Sequence, residues 1–200
     1  MKGGRPLSRT GDEKYPSGKQ CIQYLWDAGC SKRVVVHCAT VRAVADAIAK
    51  GIPSADPDLV TAGALLHDIG RSRDHSIMHA YIGSVIVRDL GLPQELVDIV
   101  RKHTGAGLDQ QDVEEMQLPP GDYMPSTIEE KIVAHADNMV SDNRVVEHTY
   151  SVEKLRRKGA ERGARRIEDL HRELSAYYGR DLDVLVGELG EYPKIKGVKP

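Results

Sequence analysis

The sequence predicts an all-α fold, on three observations. Apolar residues recur at offsets of three, four and seven along most of the chain, as in Val34, Val41, Val44 and Ile48, the spacing that lines one face of a helix. Alternation of period two, the mark of a half-buried strand, is scarce. Capping residues bracket the periodic runs, with Ser17, Ser31 and Asp56 ahead of them and Gly29, Gly51 and Gly91 behind.

Met1 to Pro16 reads as a Gly-, Lys- and Arg-containing tail. A first helix follows Ser17 through Cys21, Ile22 and Leu25 to Gly29, and a second follows Ser31 to Gly51 and Pro53. Asp56-Pro57 opens the third, with a capping carboxylate ahead of a proline at the first helical position. It runs through Leu59, Val60 and Leu65 to His67 and Gly70. Beyond a basic loop, Arg71 to Ser76, helices are predicted from about Ile77 to Leu90 and from Pro93 to His103. Gly105 to Pro125 is a long Gly/Pro/Asp segment, and loops of that length are usually functional or disordered; a substrate-covering loop is the expectation. Ser126 and Glu129 predict a capping box for a helix through Ile132, Val133 and Asp137. Val152 to Leu189 is Arg/Glu-rich with Ile167, Leu170 and Leu174 at helical offsets, which predicts helix packed on the domain or on a second copy of the chain.

With 200 residues, 40% hydrophobic and 29% charged, the chain suffices for one domain with its own core and is short for two. The expected division is a tail at 1–16, a helical domain at 17–150 and a C-terminal helical extension at 151–200. Phe is absent, so aliphatic residues and Ala must fill the core. A net charge of −2 argues against a bulk nucleic-acid binder, but not against a small anionic ligand, for which the local charge of a cleft decides. Cys21, Cys30 and Cys38 are an odd number near one end, read as reduced, inert thiols. Met1 to Gly11 lacks the apolar core of a secretory signal, and no apolar run approaches the ~20 residues of a membrane span. The expectation is a cytoplasmic protein without membrane contact.

The chemistry lies in where certain His and Asp residues fall. His37 shares a face with Val41, Val44 and Ile48; His79 with Ile82, Gly83 and Ile86; His103 with Leu96, Ile99 and Val100; Asp137 with Val133 and Val140. His67 and Asp68 end the most apolar helix of the chain. Any one such His is ordinarily a hydrogen-bonded core residue. Burying the whole set without partners costs several kcal/mol per group, and more for charges. A divalent cation removes that cost, because neutral imidazole and carboxylate are among its preferred ligands. His75 sits in a polar loop, His135 and His148 lie among mixed neighbours, and His171 reads as packing on the terminal helix.

Taken in order, His37 within Val34-Val35-Val36-His37, His67-Asp68-Ile69-Gly70 after Ala64-Leu65-Leu66, and Asp137 in Ala134-His135-Ala136-Asp137 resemble the HD superfamily of metal-dependent phosphohydrolases, over about Ser31 to Arg144. His79 with Ala80-Tyr81-Ile82-Gly83, His103-Thr104-Gly105 and Asp142-Asn143-Arg144 are similar to its six-ligand subgroup, which includes bacterial enzymes that split symmetric dinucleoside tetraphosphates. The resemblance implies a single HD-domain helical bundle with an additional C-terminal helix, and one or two divalent ions of Mn, Fe, Ni, Co, Zn or Mg. His37, His67, Asp68 and Asp137 would hold one ion, and Asp68 would bridge to a second held by His79 and His103. It further implies hydrolysis of a phosphate ester or phosphoanhydride of a nucleotide-type substrate by a metal-activated hydroxide, with Asp68 and Arg71 as catalytic residues. Asp68 would set the metal spacing and Arg71 would face the phosphate. Arg71 stands where the family often has Lys, and its guanidinium fork suits phosphate oxygens. The C-terminal segment has no counterpart in the family pattern.

Other classes compete less well. Cys38 cannot pair with His37 as a nucleophile, since adjacent helical residues point about 100° apart. A catalytically silent nucleotide sensor retains the same pocket. An RNA-end processing phosphoesterase would use the basic stretch from Lys154 to Arg166, although Glu/Arg alternation there reads more simply as a solvated helix with charge pairs. Lys102 and Arg144 are further candidate phosphate contacts.

Overall fold

A computed structural model describes residues 14–194 of the chain; residues 1–13, most of the expected tail, lie outside the described residues. Ten helices follow one another among the described residues: α1 Gly18–Asp27, α2 Lys32–Lys50, α3 Pro57–Leu66, α4 His79–Asp89, α5 Gln94–Lys102, α6 Gln110–Glu115, α7 Ile128–Asn138, α8 His148–Arg157, α9 Glu161–Tyr178 and α10 Val184–Leu189. A 3-10 turn, Ile69–Ser72, joins α3 to the loop before α4, and a two-residue antiparallel pair, β1 Val140–Ser141 with β2 Arg144–Val145, follows α7. The fold is all-α, as the spacing predicts.

Local chemistry accounts for most boundaries. Ser17 caps α1 in a reciprocal box with Gln20, Ser31 caps α2, and Asp56 accepts from the Asp58 and Leu59 amides ahead of Pro57. At α7 the box forms one residue later than predicted: Thr127 caps the Glu130 amide and Glu130 reaches back to the Thr127 amide. Glu130 also meets the buried Lys102, which fixes its direction, while Glu129 caps the Asp56 amide instead. The terminal run is three helices where periodicity suggests one. Gly159 and Gly179, at φ +76° and +86°, end helices where a Cβ would be strained. The long segment after α5 contains α6, boxed by Asp109 and Asp112. The expected boundary at residues 150/151 falls inside α8.

The core is organised around α3, in which Leu59, Val60, Ala62, Gly63, Ala64, Leu65 and Leu66 are all buried. Helices α1, α2, α5 and α7 surround it. Gly63 lets α5 close in: a Cβ there would stand 2.8 Å from Ile99. Tyr15, within the expected tail, is buried in the same core. Helix α9 packs on α7 and α8, and α10 reaches α2. Arg166 and Arg162 bind Asp109, Asp112 and Glu115, so the segment around α6 is clamped to α9 by ion pairs. The three cysteines are free and buried, and burial pushes Cys21 up to about 12 and Cys30 to about 11. No helix among the described residues is long and apolar enough to cross a membrane.

Candidate metal centre

Five elements deliver the six predicted side chains to one place. His37 comes from α2, His67 and Asp68 from the end of α3, His79 from the first turn of α4, His103 from the end of α5, and Asp137 from α7. His67, Asp68, His79 and His103 are buried, whereas His37 and Asp137 are half-buried on the side of a cavity of about 920 Å3.

The helix ends aim the imidazoles. The last carbonyls of a helix lack intrahelical partners, and the Nδ1 of His67 takes the Ala64 carbonyl at 2.8 Å while that of His103 takes the Val100 carbonyl at 2.7 Å. His79 Nδ1 donates to the Ser76 carbonyl at 2.6 Å, and His37 Nδ1 to that of Asp142 at 2.7 Å. Asp142 can offer its carbonyl because it occupies the β1–β2 turn at φ +62°, a region Asp tolerates better than most residues. Arg33 holds its carboxylate through two contacts of 2.6 and 2.8 Å. A carbonyl only accepts, so Nδ1 carries a proton in all four rings and Nε2 is left pointing at the centre.

The two oxygens of Asp68 face different imidazole pairs. Oδ2 lies 3.7 Å from Nε2 of both His37 and His67. Oδ1 lies 3.2 Å from Nε2 of His79 and 3.6 Å from that of His103. Asp137 Oδ1 completes the first side, 3.0 Å from His37 Nε2 and 3.6 Å from His67 Nε2. On the second side the Nε2 atoms of His79 and His103 stand 3.1 Å apart, two lone pairs face to face. The buried His67 Nε2 and Asp68 Oδ1 have no hydrogen-bond partner. Two overlapping triads, His37/His67/Asp137 and His67/Asp68/His103, have ligand atoms mutually within 4.8 Å. Apart from the Arg71 guanidinium and His37, the centre crowds acceptors together, an arrangement that suits a cation, and the residues present could hold one or two.

The electrostatics agree. Burial alone would lower the pKa of His37, but the Asp137 and Asp68 carboxylates outweigh it and raise it to about 9, so this position calls for positive charge at Nε2. Burial opposes ionisation of Asp68 and Asp137, yet the surrounding imidazoles hold both carboxyls well below the usual range. His103 is pushed down by burial and by the neighbouring rings, which keeps it neutral.

Arg71 lies in the cavity wall with its Nε 2.5 Å from Asp68 Oδ2. Lys102 does not join the site: it is buried against Asp122 at 3.0 Å and Glu130 at 3.2 Å. Thr104 and Asn138 also line the cavity and were not singled out by periodicity. In sequence each directly follows a site residue, His103 or Asp137, and Thr104 also falls within the His103-Thr104-Gly105 resemblance.

A second histidine cluster joins residues that the sequence places only among mixed neighbours or at packing positions. His135, His148 and His171 meet beside Asp181 and Asp183. Its His148/His171/Asp183 donors are close enough to suggest an ion, but the His148 and His171 rings stack at 3.6 Å and 14°. Nearly parallel rings cannot both direct in-plane lone pairs at one ion. The cluster instead ties α7, α8 and α9 to the turn before α10: His148 donates to Asp183 at 2.9 Å and His171 bonds His135 at 3.1 Å. Burial and the other two rings push His135 down to about 3.

The chain is 44% identical over 168 residues to the tRNA (cytidine(56)-2'-O)-methyltransferase of Thermoplasma volcanium, covering 84% of this chain and 49% of that one; it thus spans about half the length of that relative. It is 47% identical over 122 residues to an uncharacterized protein of Methanocaldococcus jannaschii, covering 59% of this chain and 72% of that protein. The HD domain of the L. monocytogenes phosphodiesterase PgpH, solved in complex with cyclic-di-AMP, shares the fold at a TM-score of 0.52 and 17% identity, over 88% of this chain and 99% of that one. Residues 34–142, which carry four of the five converging helices in full and all six side chains, match the HD domain, and the chain belongs to the HD domain family.

Proposed function

We propose that this chain is a metal-dependent phosphohydrolase that cleaves a phosphate ester or phosphoanhydride of a nucleotide-type substrate. One observation carries the reading: the two oxygens of Asp68 each face a separate pair of imidazole Nε2 atoms whose Nδ1 protons are already engaged. His37, His67, Asp68 and Asp137 would hold one divalent ion, and Asp68, His79 and His103 a second. When bound, such ions supply Lewis-acid polarisation of phosphoryl oxygens and acidify water.

The chain's own residues do the rest. Asp68 keeps both halves of the site at a fixed spacing, and backbone carbonyls hold each ring so that little reorganisation remains. Arg71 orients Asp68 through Nε and donates from Nη1 to the His75 carbonyl at 3.4 Å, while Nη2 of its half-buried guanidinium would meet a phosphate oxygen in the cavity. Beyond the ligands, Asp112, Lys154, Lys158, Arg162 and Arg166 from around α6, α8 and α9 contribute charge to one part of the cavity wall, a setting that fits a substrate larger than inorganic phosphate. The division of the chain into an HD body and a C-terminal extension is part of this proposal, with α8 and α9 of the extension forming one side of the substrate cavity.

The test is turnover of p-nitrophenyl phosphate, its diester and a nucleotide panel by protein supplied with Mn or Co. Hydrolysis is expected, with loss of at least a thousandfold in Asp68→Ala that retains its helical circular dichroism. Nucleotide binding without hydrolysis of any substrate would favour the sensor reading. An RNA terminus as substrate is a second reading, favoured by the tRNA-directed activity named for the Thermoplasma relative; preference for oligoribonucleotides over mononucleotides would select it.

A further inference from the structure

The cations between Lys154 and Arg166 divide into two sets. Arg156, Arg157, Arg162, Arg165 and Arg166 each have a carboxylate within 4.0 Å. Among the described residues Lys154 and Lys158 have none, and both line the cavity that the metal-centre residues open into. They stand four residues apart on α8 and at its C-cap, and so share one side of that helix. Ser151, one turn before Lys154, lines the same wall.

The other cations of the cavity wall are each paired with a carboxylate. Arg33 is held by Asp142, Arg71 by Asp68, and Arg162 and Arg166 by Asp109, Asp112 and Glu115. Asp68 and Asp137 lie at the metal centre. Two ammonium groups are thus left on the wall contributed by α8 with no carboxylate within 4.0 Å among the described residues. At about 920 Å3 the cavity is near the upper end of the roughly 300–1,000 Å3 of small-ligand sites, with room beyond one phosphate at the metals.

We infer that Lys154 and Lys158 form a second phosphate subsite, so that the ligand is a nucleotide carrying at least two phosphates, one at the metal centre and another against α8. The inference rests on the phosphohydrolase reading for what happens at the metals, but not for binding at the lysines. Two sources share this chemistry, a nucleoside polyphosphate and a short oligonucleotide, and the experiment separates them.

The metal-loaded protein and its Lys154→Ala/Lys158→Ala variant are compared in two arms. The first is fluorescence anisotropy with a labelled pentaribonucleotide whose phosphorothioate linkages resist cleavage, together with competition by ATP. Affinity for at least one of the two is expected to fall about tenfold. If it is the pentaribonucleotide, the slope of log affinity against log salt becomes shallower by about 0.7, as for one lost single-strand phosphate contact; loss confined to ATP identifies a polyphosphate. Lys154→Arg/Lys158→Arg restores the affinity. In the second arm, kcat and KM for p-nitrophenyl phosphate, which has one phosphate, stay within twofold. Unchanged affinity for both probes overturns the subsite, and so does an equal rise in KM for p-nitrophenyl phosphate, which would mark a general field effect. Absence of turnover with every substrate would defeat the hydrolase reading and leave the binding arm to decide the subsite independently.

Discussion

A methyl group added at Gly70 would stand 2.0 Å from the His79 carbonyl oxygen and 2.6 Å from the Gly83 amide nitrogen. The turn that carries Asp68 can therefore lie directly against the first turn of α4 only while residue 70 has no side chain, and that contact sets the distance from Asp68 to His79. Gly70→Ala is expected to cost about 3 kcal/mol or more, since backbone on both sides cannot yield as a flexible side chain would. A thermal melt reads the loss directly, and a melt within 2 °C of the wild type would show that the two backbones have room. The glycine was legible in sequence only as part of a resemblance, because a close approach between residues 70 and 83 leaves no periodic trace. The convergent histidines were more legible. Each lies on an apolar face, and His67 and His103 each close a helix just ahead of a glycine. What the sequence could not display is the Nδ1 partner of His37, since the Asp142 carbonyl arrives from 105 residues away.

At the scale of elements, the segment around α6 owes its position to Asp112, which is buried between Arg162 and Arg166 of α9. Burial raises the pKa of that carboxyl, but the two guanidinium groups and the Asp109 amide outweigh it and hold it below the usual range. The folded value lies under the unfolded value of about 3.9, so its stabilisation is complete above that pH and fades as pH falls below it. Asp112→Asn is expected to melt about 4–8 °C lower at pH 7, on a loss of about 2 kcal/mol. The gap should narrow as pH falls below about 3.9 and vanish only below the folded value, and a gap that is constant with pH would place the role of Asp112 outside its ion pairs. Periodicity found the flanking helices but not α6, whose six residues are too short to show a face. It also merged α8, α9 and α10 into one run, because charge alternation continues across Gly159 and Gly179.

For the whole molecule, five elements converge on one centre, and each approach costs desolvation of an imidazole or carboxylate. A cation that bound only the folded chain would repay that cost and stabilise the fold by about 4 kcal/mol at a thousand times its dissociation constant. Chelation with EDTA is therefore expected to lower the melting temperature by roughly 8–16 °C for a chain of this size, and adding Mn or Co should restore it. A melt indifferent to both would separate the fold from the ions. The central claim is that Asp68 joins two ion sites, and elemental analysis of purified protein tests it most directly. Close to two divalent ions per chain are expected in the wild type, about one in His79→Ala/His103→Ala, and none in Asp68→Ala, in the manner of two-metal sites. An Asp68→Ala chain that keeps the wild-type metal content would contradict it.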